Sequence, residues 1–412
     1  MISEPAAHSV PLRRNRDFNL LWSGQVLSVL GAQISAIAFP LLVLALTHSP
    51  AKAGIVGFAE MLPMGLLMLP AGALVDRWDR KRVMVVADSA RCIALASIVL
   101  ALAVDSVSFA QIVAVALVDG IGAAFFSVGE RSALRQVVAD EQLEAAMVRN
   151  QAREFGALLG GQPLGGVLFG LGRLVPFLFD AVSYLVSVVS LLLIRTPFQG
   201  ERTAGRTRLS AEVREGLRWF WRHPFVRTTS LLSMGNDFVL NSLYLVVIVL
   251  ARERGASATL VGAMFVFLGV GGIAGTLLAS RLVRRLSTRA IVVASQWLVV
   301  VLTPLLFLPG EVTPGVVFGA MFLLHPTWSA TVSTYRLRAA PDELQGRVTS
   351  ISGMLSFVTR SFGYLGAGIL LQAAGSTPAV LALLGIAVVV ALAAVASPAV
   401  RAGSRSRPLA DT

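Results

Sequence analysis

Apolar residues run along this chain in blocks of about 20, and the short stretches between them collect most of the charge. Each block is long enough to cross about 30 Å of hydrocarbon as a helix. The blocks do not alternate apolar with polar, and they are too long for barrel strands, so helices are the only reading. Spans are expected at about 18–46, from Gly54 into a charged loop, 83–104, 109–131, a glycine-rich fifth ending near Gly172, and 176–194. Six more follow at about 228–250, 257–280, 290–308, 314–335, 348–372 and 377–397. The pattern predicts an all-α membrane protein with twelve transmembrane helices. Residues 196–227 interrupt it with Arg202, Arg206, Arg208, Arg214, Arg218 and Arg222. From Ser210, as N-cap, this segment reads as an amphipathic helix on the membrane surface, with Trp219 and Trp221 at headgroup depth. The expected division is a tail 1–16, a half 17–195, a basic linker 196–227, a second half 228–397 and a tail 398–412.

Composition agrees. Of 412 residues, 55% are hydrophobic and 14% charged, with mean hydropathy +0.75, whereas a soluble domain carries charge at about a quarter of its positions. The net charge of +12 suggests nucleic acid until the cations are placed. They fall in alternate loops: Arg13, Arg14, Arg16, Arg77 to Arg82, Arg131, Arg135, the linker, Arg281, Arg284, Arg285, Arg289, Arg336, Arg338 and Arg347 on one side. The other side holds Lys52, Arg173, Arg252 and Arg254. That imbalance puts both termini in the cytoplasm and removes nucleic acid as a partner. One cysteine, Cys92, excludes an internal disulfide and a cysteine metal site. No cleavable signal is evident. Gly269-Val-Gly271-Gly-Ile-Ala274 fits a dinucleotide fingerprint, but it lies inside a span with no strand before it. No Ser/His/Asp set, Walker loop or metal cluster is present, so no enzyme activity and no cofactor are expected. With no Walker loop, any energy-requiring step would draw on an ion gradient, with protons as the expected ion and a monomer as the expected working unit.

The halves repeat. Ala139-Asp-Glu-Gln-Leu143 and the glycines after it match Ala340-Pro-Asp-Glu-Leu344 and Gly366-Ala-Gly368, offset by about 200 residues. Gly275-Thr-Leu-Leu-Ala-Ser-Arg-Leu-Val-Arg284-Arg285 echoes the charged loop after span 2, with Ala279 where the loop has Asp76. Parallel six-helix repeats place a substrate site between them at mid-membrane.

That charged loop is Gly72-Ala-Leu-Val-Asp76-Arg77-Trp-Asp79-Arg80-Lys81-Arg82. At Gly72, Asp76, Arg77, Arg80 and Lys81 it resembles the signature loop of major facilitator superfamily transporters, G-x-x-x-D-R-x-x-R-K. A small residue at 72 is expected to let a neighbouring helix approach, and Asp76 to face that helix's positive end. The resemblance implies that Glu130 and Arg131 partner Arg80 and Asp76 in a cytoplasmic lock. Asn15-Arg-Asp17-Phe-Asn-Leu-Leu-Trp22-Ser-Gly24-Gln25, Leu46-Thr47-His-Ser49-Pro50 and Phe179-Asp180-Ala-Val-Ser183 resemble the branch holding enterobactin exporters, macrolide efflux proteins and a lysophospholipid transporter. Where that branch often has a polar or acidic residue after Gly31, this chain has Ala32. Gly156-Ala-Leu-Leu-Gly160-Gly161-Gln162-Pro163-Leu-Gly165-Gly166 resembles the antiporter motif of drug exporters, with the proline displaced by one. The same glycines also suit simple packing of span 5 against Gly271-x-x-x-Gly275 of span 8.

Ionisable groups inside spans are costly and are functional hypotheses by default. Asp119 lies in span 4, Asp237 in span 7 between Asn236 and Asn241, and His325 in span 10 beside Pro326 and Trp328. Glu60 in span 2 and Arg360 in span 11 lie at similar depth. In the resembled fold spans 1, 4, 7 and 10 line the cavity. Asp119, Asp237 and His325 are therefore expected to face it, with Gln25, Gln33, Asn236, Asn241 and Trp328 in its wall. Glu60 and Arg360 are expected to pair across the two halves. Asp119 is the expected coupling acid, since a carboxyl can hold a proton or a cationic substrate but not both. The expected function is proton-coupled export of an amphiphilic small molecule (drug, macrolide, siderophore or secondary metabolite) across the cell membrane by alternating access. A lipid or lysophospholipid transporter of the same fold, and a membrane receptor or scaffold that transports nothing, are the alternatives.

Overall fold

The computed structural model describes residues 11–75, 77–199 and 209–402. Asp76, Arg202, Arg206 and Arg208 fall outside them. The helices are α1 (Arg16–Thr47), α2 (Pro50–Val75), α3 (Arg80–Ala103), α4 (Phe109–Val137), α5 (Leu143–Leu171), α6 (Val175–Leu193), α7 (Leu209–Arg222) and α8 (Pro224–Glu253). They continue as α9 (Ala258–Met264), α10 (Val266–Arg285), α11 (Thr288–Leu302), α12 (Thr313–Met321), α13 (His325–Ala339), α14 (Asp342–Ala374), α15 (Ser376–Ala396) and α16 (Pro398–Ala402). No strand occurs among the described residues.

Side-chain caps set several helix starts. Asn15 accepts from the Phe18 amide at 3.0 Å, Asp79 from Arg82 at 3.0 Å, and Ser108 from Gln111 at 3.2 Å. Asn15 also donates to the Val137 carbonyl at 2.8 Å, tying the start of α1 to the end of α4. Two spans are broken, and a third ends in a 3-10 turn. Span 8 divides at Phe265 into α9 and α10, and span 9 ends in the 3-10 turn Thr303–Phe307. Span 10 divides at the 3-10 turn Phe322–Leu324 into α12 and α13. Pro326 has no amide hydrogen to continue the α12 ladder, which places the break at His325.

By length and hydropathy, 11 of the described helical segments can cross a membrane. The helix that measure omits is α5, whose first half carries Glu144, Arg149, Arg153 and Glu154 and whose second half is glycine-rich. At 29 residues it is long enough to span, and it packs between α1 and α9, so with α5 the bundle has twelve crossings. The amphipathic helix α7 begins at Leu209, one residue before the expected cap. It is docked as well as surface-lying: Phe220 is buried with Val226, Val348 and Ile351, while Leu217 and Trp221 are exposed.

The halves meet along two seams, α2 with α14 and α5 with α9. On the side away from the termini both seams close through glycines. A Cβ on Gly54 would sit 3.0 Å from the Gly368 Cα, and one on Gly166 would sit 2.6 Å from the Gly262 Cα. Toward the termini α5 still meets span 8 at Leu159, which fills the space beside Gly269, while a Cβ on Gly156 or Gly160 meets nothing within 4 Å. Gly72 has nothing within 4 Å either. The close helix approach expected there is therefore absent among the described residues, although α2 and α14 still touch one turn earlier, where a Cβ on Gly353 would lie 3.7 Å from Met68 Sδ.

Candidate functional site

Between the halves lies a cavity of about 510 Å³. The N-terminal half contributes Gln33, Glu60, Arg91, Asp119 and Gln162, and the C-terminal half contributes Asp237, Asn241, His325 and Arg360. Tyr244, Phe318, Phe322, Phe357 and Tyr364 form an aromatic wall on the C-terminal side.

Two ion pairs face each other across this space. On α3, Arg91 donates from Nε to Asp119 Oδ1 at 2.9 Å and from Nη2 to Oδ2 at 3.3 Å. Its guanidinium lies 4.0 Å from the Tyr184 ring centroid, and the Tyr184 hydroxyl donates to Asp119 Oδ1 at 3.1 Å. On α14, Arg360 donates from Nε and Nη2 to Asp237 Oδ1 at 3.2 and 3.1 Å. The expected Glu60–Arg360 pair is thus replaced. Helices α2 and α14 are neighbours as anticipated, but Arg360 turns across to α8. Glu60 has no hydrogen-bond or ion-pair partner among the described residues. Its backbone carbonyl abuts Gly120, which fixes α2 against α4 and leaves the carboxyl at the cavity.

Behind the Arg91–Asp119 pair runs a buried polar chain. Arg91 Nη1 lies 3.5 Å from Asp88 Oδ1. Ser187 donates to Asp88 Oδ2 at 2.5 Å and Gln25 donates to Ser187 at 2.9 Å. Asp180 accepts from Ser35 at 2.5 Å and from Ser183 at 3.1 Å, and it occupies the space beside Gly31.

Several expected wall residues lie elsewhere. Gln25 is buried in that polar chain and does not reach the cavity. Asn236 and Trp328 line a separate, much smaller void beside α11, which His325 also borders. Gln33, Asn241 and His325 do line the cavity. His325 stands at the start of α13, its ring 5.6 Å from that of Phe322.

At the termini-side ends of the helices, Glu130 accepts from Arg153 at 2.6 Å, a partner on α5 that the expected lock did not include. Arg131 is exposed. Arg80 donates to the Phe198 carbonyl at 3.1 Å, and Lys81 donates to the Leu192 and Ile194 carbonyls at 3.3 and 2.8 Å. Arg77 is exposed. In α5, Gly161 and Gly165 pack on α1, with Gly161 against Gln33 and Gly165 so close that a Cβ on it would sit 2.7 Å from the Ile34 carbonyl oxygen. Only Gly166, with Gly170 beyond it, faces span 8. Pro163 lies within α5 between these contacts. Gly271 and Gly275 pack against the Gly319 and Leu323 carbonyls of span 10 instead of α5.

The Asp88–Arg91 pair, Asp180 and Arg153 were not anticipated as site residues. Signals for them exist. Asp88 and Arg91 are an acid and a base three apart in an apolar run, and Asp180, Ser183, Ser187 and Ser190 recur at helical spacing along α6.

The Major Facilitator Superfamily model matches residues 21–364. The multidrug efflux pump Tap of Mycolicibacterium fortuitum is 27% identical over 374 residues, 86% of this chain and 88% of that protein. Macrolide efflux protein A of Streptococcus pyogenes is 24% identical over 45% of this chain and 46% of its own length. Among solved structures, a bacterial homologue of the human lysosomal transporter Spinster, inward-facing and unoccupied, superposes with TM-score 0.71 at 15% identity, covering 96% of this chain and 98% of that one. A bacterial homologue of the iron transporter ferroportin, also inward-facing, gives TM-score 0.72 at 16% identity over 94% and 99%.

Proposed function

The chain belongs to the major facilitator superfamily and is a multi-pass membrane transporter, not an enzyme; from that premise we propose that it is a proton-coupled exporter of amphiphilic cations. It works in the cell membrane with both termini cytoplasmic, as the loop cations favour. The observation that carries this reading is the charge of the cavity. Its wall holds three carboxyls, Glu60, Asp119 and Asp237, against two guanidiniums, Arg91 and Arg360. The two arginines answer Asp119 and Asp237, which leaves Glu60 as the group for a mobile cation. An ammonium can sit against Glu60 while its apolar body lies on Tyr244, Phe318 and Tyr364, whose ring faces favour positive charge. A proton taken up by Glu60 removes that attraction and releases the substrate. The loss of that proton on the opposite side restores it. Coupling is assigned to Glu60 in place of Asp119, whose carboxylate is already engaged by Arg91.

The test is accumulation of a fluorescent amphiphilic cation, and of a neutral analogue, in inverted vesicles with and without an imposed pH gradient. Wild-type vesicles are expected to concentrate the cation only with the gradient. In Glu60→Gln that uptake should fall roughly tenfold or more, each decade being about 1.4 kcal/mol of barrier. Gradient-driven uptake at the wild-type rate in Glu60→Gln rules out Glu60 as the coupling acid. Equal uptake of cation and neutral analogue by the wild type rules out the substrate class.

A further inference from the structure

A second space lies on the opposite face of the N-terminal half, outside the transport cavity. It is an open groove of about 680 Å³ between α3 and α4, walled by Val83, Val86, Ala90, Val118, Ile121 and Phe125. Small residues at Ala87, Ala90 and Gly122 leave it unfilled. A side chain at 122 would strike the Arg91 stem, 2.6 Å from its Cδ, so α4 stays close to α3 there. The groove faces outward: Val86 is 67% exposed and Ile121 41%. In a protein whose α3 and α4 both cross the bilayer, that surface meets hydrocarbon.

Its chemistry changes at the termini-side end, where Trp78, Asp79 and Arg82 form the mouth. Trp78 is held there by its carbonyl, which accepts from Gln199 at 2.9 Å, and by stacking on Phe125 with centroids 6.5 Å apart. The neighbouring cations turn away, since Arg80 reaches the Phe198 carbonyl and Lys81 the Leu192 and Ile194 carbonyls at the end of α6. The Arg82 side chain is 87% exposed, and its only ion pair among the described residues is with Asp79 at 3.7 Å. An apolar furrow in contact with lipid, with a tryptophan and an exposed guanidinium at headgroup depth, complements an acyl chain joined to a phosphate.

We infer that the α3–α4 groove is a binding site for one phospholipid of the leaflet on the termini side, with an acyl chain along Val86, Ala90 and Ile121 and the phosphate at Arg82. A transmembrane helix of a partner fits poorly, because the furrow lies between two helices already in contact. A soluble ligand has no path to a wall that faces hydrocarbon. The site is separate from the transport cavity, so it does not depend on the proposed coupling.

The test is native mass spectrometry of the purified full chain, delipidated in detergent and titrated with phosphatidylglycerol or with diacylglycerol of the same acyl chains. Wild type is expected to retain one phosphatidylglycerol more than Ala90→Trp or Val86→Trp, either of which fills the groove. Val86 is exposed, so its substitution leaves the core packing in place. Arg82→Ala is expected to bind phosphatidylglycerol and diacylglycerol alike, whereas wild type prefers the phospholipid. Equal lipid counts in wild type and both filled variants overturn the site. An unchanged preference in Arg82→Ala overturns the phosphate assignment. A molecule other than a phospholipid released from the groove of the natively purified protein overturns the choice of occupant.

Discussion

At the scale of single residues, the cavity is governed by which carboxyl has a guanidinium beside it. Asp119 and Glu60 were both legible in the sequence as acids inside spans. Sequence gives their depth along a helix axis but not the direction in which each side chain leaves it, and that direction decides the pairing. Arg360 was therefore matched with Glu60 by depth, whereas its side chain reaches Asp237. Asp88 and Arg91 were hidden for a related reason: they follow the charged loop closely enough to read as its continuation, although the structure buries both. The two acids should respond differently to neutralisation. Asp119→Asn strands Arg91 in a site of low dielectric, where breaking a buried pair costs about 3–5 kcal/mol. Asp88, 3.5 Å away, offers partial relief, so the lower end of that range is expected. Thermal unfolding in detergent should show Asp119→Asn well below wild type, and the double variant Asp119→Asn with Arg91→Met recovering part of the loss. Glu60→Gln strands no cation and should unfold close to wild type. A Glu60→Gln protein as unstable as Asp119→Asn would mean that Glu60 has a structural partner.

At the scale of elements, the glycines of α5 show what a motif can and cannot convey. Gly161, Gly165 and Gly166 were visible as a cluster, and close helix packing was the natural expectation. Their faces were not visible: two turn to α1, and Gly166 to α9. Helix breaks were also illegible, because a proline inside an apolar run can kink a helix or divide it, and only the packing around Phe322 and His325 decides. The Gly166–Gly262 contact yields a test of the far-side seam. Gly262→Val places a side chain where the Gly166 backbone lies, an overpacking cost of about 1–3 kcal/mol that falls only on the state with the seam closed. That variant should favour the state open on the far side. Labelling of a cysteine introduced at Ala36, on the cavity wall, in a Cys92→Ser background should become faster from the far side and slower from the termini side. Unchanged labelling from both sides would exclude the seam as a gate.

At the scale of the whole molecule, the twelve-crossing bundle was readable from apolar run lengths and loop charge because both follow from the bilayer and not from any particular packing. Even so, hydropathy alone counts 11 crossings, since α5 hides four charged residues in its first half. The repeat between the halves restores the missing one. The two faces of the bundle are held by different forces. On the termini side charged groups tie helix ends within the N-terminal half: Arg153 with Glu130 joins α5 to α4, and Arg80 and Lys81 hold the start of α3 to carbonyls after α6. The far-side seams described here are glycine contacts and a neutral Ser49–Gln372 hydrogen bond of 2.7 Å. Mobile ions shorten the reach of exposed charges to about 8 Å at physiological ionic strength and to about 3 Å at 1 M, and they leave backbone dispersion contacts unchanged. The Arg153 side chain is buried and that of Glu130 mostly so, and raising the salt on both sides of the membrane should therefore leave the balance between the two faces nearly unchanged. The resting population, read from the distance between spin labels on α5 and α10, should stay the same as salt increases. A population that shifts with salt would mean that exposed loop charges set the balance between the two faces.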